Sequence, residues 1–394
     1  MPCALSDFES TMILPISDAP NPPGRPLVTW VLIGINVAVY LLATLTLSGA
    51  ADPSHPVVQE FMRDPTRGVL SPGLTNYDVL VFEYGFRSAH ASLLTLFTSM
   101  FLHGGFFHLA GNMLFLWIFG DNVEHRLGRL GYLGAYLGTG AAATLFFTAL
   151  SSASDVPLVG ASGAISGVMG FYFLFFPRNV VNVFVLFFVF IRVVRVPARV
   201  VLGGYIILSN ILPYLGQGAV GASGVAYGAH IGGFFAGLGV ACLVDRRERE
   251  SRPDEFRRTK AEGTPPERRV TFEELVSSGR MRQAAAAYFS AEDHSLDRMA
   301  PREVLLVGRW LSEEGKARAA LSAFRRVLAS HPTGVLAADA HLGAGLVQLK
   351  NLERPTSAYQ HFLDVIDLEP ASEAAEIARE GIEFIERSER GDAR

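Results

Sequence analysis

The sequence predicts an all-α protein: a polytopic membrane bundle of six helices followed by a soluble α-helical repeat domain. Three observations predict it. The 394 residues are 49% hydrophobic, and the apolar ones crowd into residues 27–244. Within that region six apolar runs are long enough, or nearly so, to cross a bilayer as helices. Residues 245–394 are charged and carry a helical pattern that repeats.

The N-terminal segment, residues 1–26, lacks a basic start and carries Asp7, Glu9 and Asp18, so it does not read as a signal peptide. The predicted spans are 27–47, 105–125, 131–150, 161–176, 197–215 and 224–244, within a membrane domain of 27–244. The fourth is short and stops at Pro177. The apolar stretch 180–196 contains Arg192 and Arg195 and reads as an interfacial hairpin or helix, not a span. The loop 48–95 is long and mixed, with apolar pieces such as "YDVLVFEYGF" that predict partial structure.

Basic residues set the expected orientation. Arg25, then Arg126 and Arg129, then Arg178, Arg192, Arg195 and Arg199, then the "DRRERESR" run all fall on one side of six spans. That side is expected to be cytoplasmic, with both termini inside. A net charge of −4 gives no reason to expect a nucleic-acid partner. Two cysteines, Cys3 and Cys242, exclude a disulfide framework and argue against a cysteine metal site. No cofactor and no metal is expected.

Polar groups inside apolar spans are costly and point to function. Here they are His103, His108, Glu124, His125 and His230, with the amides Asn112 and Asn210. His108 and Asn112 are four apart and share a helix face. With the predicted orientation, His108, Asn112, Ser162 and His230 lie at a similar depth on three helices, while Glu124 lies at the opposite end. Ser162 opens its helix, where free backbone N–H groups favour a developing anion. A nucleophile, a base and anion donors make a hydrolase.

Two stretches compete for the nucleophile, "VGASGAISG" around Ser162 and "VGASGVAYGAH" around Ser223. If Ser223 and His230 share a helix they stand about 10.5 Å apart along its axis. A nucleophile and its base need about 3 Å. Ser162 carries no such restriction. Ser166, one turn further on, is a weaker candidate whose hydroxyl can bond the backbone behind it. Asp155 reads as a solvated loop residue, so the expected machinery is a dyad.

These residues resemble the rhomboid family of intramembrane serine proteases over about residues 26–244. "HGGFFHLAGNMLFLWIFG" is similar to the family's HxxxN helix through His108 and Asn112. "GDNVEHRLG" fits GxxxExxxG through Gly120, Glu124 and Gly128, and "GASG" fits GxSG through Gly160, Ser162 and Gly163. "AHIGGFFAG" fits AHxxGxxxG through His230, Gly233 and Gly237. The resemblance implies a Ser162–His230 dyad in a six-helix rhomboid-like bundle. His108, Asn112 and the Ser162 N–H would receive the oxyanion, and His103 would help to hold water. Gly233 and Gly237 would let the sixth span approach the fourth closely. It implies hydrolysis of peptide bonds in or near transmembrane segments of substrates embedded in the lipid bilayer. The implied setting is a multi-pass protein of the bacterial inner membrane. Position 166 is serine where many members carry an aromatic, and the family's Trp-Arg pair is not evident in 48–95. The alternative reading is an inactive rhomboid-like protein that binds transmembrane segments and scaffolds partners through its tail. There is no HExxH for a zinc protease, no GxGD for an aspartyl one, and no inverted repeat for a transporter.

Residues 245–270, with Pro253, Pro265 and Pro266, read as a linker. Thr271 and Glu274 then form a capping-box pattern that opens a domain at 271–394. Tyr288, Phe324 and Phe362 fall at matching places in three similar stretches, and Pro332 and Pro370 close the second and third. The pattern resembles degenerate tetratricopeptide repeats, which imply a protein or peptide partner.

Overall fold

The computed structural model describes residues 11–63, 74–151, 155–187, 190–217, 225–250, 270–291 and 299–389. The chain divides into two compact units, one made of Met1–Ala19 with Gly24–Cys242, the other of Pro20–Pro23 with Leu243–Arg394.

In the first unit every segment expected to span is helical. Strand β1 (Thr11–Ala19) precedes helix α1 (Leu27–Thr46), and two short helices, α2 (Pro56–Arg63) and α3 (Asn76–Tyr84), follow. Helix α4 (Leu93–Thr98) then leads into the long helices α5 (Phe106–Leu127) and α6 (Arg129–Leu150). Helix α7 (Ser162–Phe175) is followed by strands β2 (Val180–Phe187) and β3 (Phe190–Pro197). Helices α8 (Ala198–Ile206) and α9 (Leu212–Gln217) are joined by a π-helical turn at Ile207–Ile211, and α10 (Tyr227–Glu250) ends the unit's helices.

Among the described residues, four helices are long and apolar enough to cross a membrane: Leu27–Thr46, Arg129–Leu150, Ala198–Gly216 and Tyr227–Glu248. A fifth span results if Leu93–Phe101 and Phe106–Leu127, which meet at 89°, count as one. Helix α7 is apolar but has 14 residues, about 21 Å of helix against a hydrocarbon core of about 30 Å. The chain is thus an integral membrane protein by composition, and the expected count of six spans exceeds what helix length alone supports.

The all-α expectation needs correction. The N-terminal segment and the 180–196 stretch form a three-stranded antiparallel sheet in the order β1-β2-β3. β2 and β3 are runs of eight residues dense in Val, Ile and Phe, a composition that suits a pleated surface better than a helix. β2 buries Val181 and Val183. On the edge strand β3, Ile191 and Val193 are exposed. Of the two options for 180–196, the chain takes the hairpin. The 48–95 loop is partly structured as expected, with α3 held by a capping box from Thr75 and Asp78.

Helices α7 and α10 pack backbone against backbone. A Cβ added to Gly233 would overlap the Gly163 carbonyl oxygen, and one on Gly237 would overlap that of Gly167. Gly170 would in turn meet the Phe234 carbonyl. The small residues are what permit this approach.

The motif centred on Glu124 has a structural role. Pro26 gives α1 no side-chain cap. The buried Glu124 carboxylate supplies one from α5, accepting from Val28 N at 3.0 Å, Thr29 N at 2.8 Å and Thr29 Oγ1 at 2.9 Å. An anion on otherwise unpaired helix N–H groups is favourable. Gly120 allows Thr29 and the Tyr132 hydroxyl to close in, and Gly128, at φ +73°, makes the turn from α5 into α6. Nearby, Asp18 from β1 accepts from Asn122 Nδ2 at 3.0 Å and from the Tyr172 hydroxyl.

In the second unit α10 continues to Glu250, past the boundary expected at 244. Helices α11 (Phe272–Ser277), α12 (Met281–Ser290), α13 (Pro301–Glu313), α14 (Ala317–Ser330), α15 (Val335–Leu346), α16 (Pro355–Leu368) and α17 (Glu373–Glu389) follow. The Thr271–Glu274 capping box is formed. Phe324 and Phe362 are fully buried. Phe324 lies against Gly308 and Gly343, and Phe362 against Gly345 and Gly381, so each ring is sandwiched between glycines of the preceding and following helices.

Candidate active site

The approach to Ser162 is fixed on both sides. Phe86 and Leu158 exchange backbone hydrogen bonds of 3.0 and 2.7 Å, and Gly160 N donates to Ser99 O at 2.9 Å. Helix α7 then starts at Ser162 itself, with Ala161 as its cap residue. Gly160 has φ +123°, and a Cβ there would stand 2.7 Å from His108 Cε1 and 3.6 Å from Asn112 Nδ2. Glycine is therefore required twice, for the backbone angle and for the approach of α5.

Ser162 Oγ lies 2.8 Å from His230 Nε2, on α10. The other ring nitrogen, Nδ1, lies 2.8 Å from Asn210 Oδ1, in the π-helical turn. Asn210 Nδ2 donates to the Tyr205 carbonyl at 2.9 Å. That bond fixes which end of the amide faces the histidine, so Asn210 accepts from Nδ1–H. The tautomer with a free Nε2 lone pair follows, and it is the one that can accept the serine proton.

His108, Asn112, Gly160, Ser162, Tyr205 and His230 all line one cavity of about 710 Å³. His108 Nδ1 accepts from Gly104 N at 3.4 Å, which leaves Nε2 as the protonated nitrogen. Asn112 is buried, and its Nδ2 has no hydrogen-bond partner among the described residues. His103 is fully buried and packs edge-on against His108, ring centres 5.2 Å apart. It supports the His108 ring from behind.

The other candidates fall elsewhere. Ser223 lies outside the described residues. Asp155 lies near His90, Oδ1 to Nε2 3.4 Å. Ser166 bonds the Tyr205 hydroxyl at 3.1 Å, and the Tyr205 ring centre is 6.5 Å from that of His230. An aromatic neighbour for the histidine thus comes from α8 where position 166 supplies none. Sequence reasoning noted Asn210 as an amide in an apolar span but gave it no role. Its signal was that costly burial alone.

A helical membrane protein with a Ser-His pair opening into a largely apolar cavity is the class that fold and site define. The Rhomboid domain family model matches residues 90–247. The chain is 36% identical over 98 residues to Rhomboid protein 1, mitochondrial, of Saccharomyces cerevisiae, covering 24% of this chain and 28% of that protein. It is 30% identical over 155 residues to the Putative rhomboid protease YdcA of Bacillus subtilis, covering 39% of this chain and 65% of that one. It is 41% identical over 71 residues to Rhomboid-like protein 11, chloroplastic, of Arabidopsis thaliana, covering 18% and 25%. The chain thus spans less than two thirds of the length of each of these relatives. No solved structure matches. Together these matches support a rhomboid-like domain over residues 90–247.

Proposed function

We propose that the chain is an intramembrane serine endopeptidase that cuts transmembrane segments of membrane proteins. The observation that carries this reading is the 2.8 Å contact between Ser162 Oγ and His230 Nε2, with Nδ1 held at 2.8 Å by Asn210. Ser162 Oγ attacks the carbonyl carbon of the scissile peptide while His230 Nε2 takes its proton. Charge moves to the carbonyl oxygen, which His108 Nε2–H, Asn112 Nδ2 and the Ser162 N–H receive. Collapse breaks the C–N bond, and His230 returns the proton to the departing amine. Water, activated by His230, then hydrolyses the acyl-enzyme and restores Ser162. Asn210 holds the imidazole through these transfers, which makes the arrangement a Ser-His-Asn triad in place of the expected dyad. A substrate helix must unwind locally to enter, because its peptide bonds are otherwise closed by their own hydrogen bonds.

The arginine-bearing loops support a reading of six spans with both termini on the cytoplasmic side, and a tetratricopeptide-like tail would there offer a docking surface for a protein or peptide. The test is reconstitution of the full chain in vesicles with a model transmembrane substrate. Cleavage is expected, and it should be abolished by Ser162→Ala. Cleavage that survives this change would refute the nucleophile. A well-folded wild type that binds the substrate but never cuts it would favour the non-catalytic scaffold.

A further inference from the structure

The second unit holds a cluster that the proteolytic reading does not use. His341 lies on α15, and His361 and Asp364 lie on α16, one turn apart on the same face. The two Nδ1 atoms are 3.0 Å apart, and His341 Nδ1 is 3.4 Å from Asp364 Oδ2. One ligand atom from each of the three residues falls within 4.8 Å of the others, and all three side chains are half-buried.

We propose that His341, His361 and Asp364 form a binding site for a zinc-class divalent ion that clips α15 to α16. Metal–nitrogen bonds of about 2.0–2.1 Å at a tetrahedral centre put neighbouring donors about 3.3 Å apart. Two of the observed separations, 3.0 and 3.4 Å, bracket that edge. The donor set of two imidazoles and a carboxylate suits zinc chemically, and water would take the fourth position. The metal-free alternative is an N–H···N bond between the histidines with Asp364 ion-paired to His341, and the titration below separates the two. Arg325 acts on His361 electrostatically. Arg325 is itself paired, 3.3 Å from Glu248. No spacing in the sequence flags this site, because its ligands come from two helices, with His341 and His361 20 positions apart.

The experiment uses the full chain in detergent, stripped with a chelator and then titrated with Zn²⁺ against a fluorescent competitor. Co²⁺ absorption reports the geometry. The expected result is one equivalent per chain, a tetrahedral Co²⁺ spectrum, and a rise in the tail's unfolding midpoint with Zn²⁺. His341→Gln and Asp364→Asn should each weaken binding by about tenfold or more and remove the stabilisation. Asp364→Asn is nearly isosteric and is expected to keep the helical circular dichroism of the wild type. Uptake of less than one equivalent, or wild-type affinity in both variants, would overturn the site.

Discussion

Two polar clusters sit at opposite ends of helix α5, and they differ in what their groups have to bond. At one end Glu124 accepts three hydrogen bonds from the first turn of α1. About 18 Å away along the same helix, Asn112 Nδ2 has no partner among the described residues and lines a cavity of about 710 Å³. Both are buried polar residues in an apolar helix, and composition does not separate them. A saturated group has done its work in folding. A buried donor left open beside a cavity can bond a group that enters it. The contrast can be broken by substitution, because one end should control the rate and the other the stability.

The largest effect belongs to the open end. Ser162→Ala should lower the cleavage rate by about 10⁴-fold or more, on the scale of other serine enzymes, and leave thermal unfolding in detergent near wild type. Asn112→Ala should follow, with kcat lower by about 10²–10³-fold, the usual effect of removing one oxyanion donor. Single-turnover cleavage in vesicles measures both. A large change in unfolding midpoint for Asn112→Ala would make that residue structural and erase the contrast.

The closed end predicts the reverse. Glu124→Ala removes a charged acceptor from three donors, and each such bond contributes about 1.5–3 kcal/mol. Since water can re-enter, the net loss of stability should be about 2–4 kcal/mol. The rate per folded molecule should stay within about threefold of wild type. A rate that collapses while stability holds would place Glu124 in the chemistry.

These two ends were not equally legible in the sequence. Ser162, His108, Asn112 and His230 stood out because motif spacing and a shared depth on three helices pointed to one site. The role of Glu124 depended on α1 lacking a side-chain cap at Pro26, which shows only once α5 lies beside it. The sheet was hidden because β1 pairs with a strand far along the chain, Thr11 opposite Phe187. Local apolar patterning cannot announce such a partner. Asn210 was missed for a related reason. Its contact with His230 depends on the π-helical turn at Ile207–Ile211 meeting α10, and no spacing in the sequence sets that approach.

Asn210 therefore sharpens the comparison from within the open end. It is 1% exposed yet saturated, accepting from His230 Nδ1 and donating to the Tyr205 carbonyl. Asn210→Ala should lower kcat by about 10–100-fold, a part of the roughly 10²–10⁴-fold that acid-base transfer supplies. KM should hardly move, because the residue positions the imidazole and does not line the substrate's path. Asn210→Asp, which can still accept from Nδ1–H, should recover more of the rate than Asn210→Ala. Equal losses in the two variants would mean that the residue serves packing alone.

The smallest effect is expected at Tyr205, where ring and hydroxyl can be separated. The Tyr205 hydroxyl meets Ser166 Oγ at 3.1 Å, and its backbone carbonyl holds Asn210. Tyr205→Phe removes only the first of these. It keeps the ring whose centre lies 6.5 Å from that of His230, and it keeps the carbonyl. Stability should fall by about 1 kcal/mol, the net contribution of one ordinary hydrogen bond. Cleavage should stay within about threefold, since the Tyr205 carbonyl that orients the Asn210 amide remains even though the hydroxyl's own contact with Asn210 is lost. If Tyr205→Phe were as slow as Asn210→Ala, the hydroxyl, which also bonds the Asn210 side chain, would have to share the positioning role with the carbonyl.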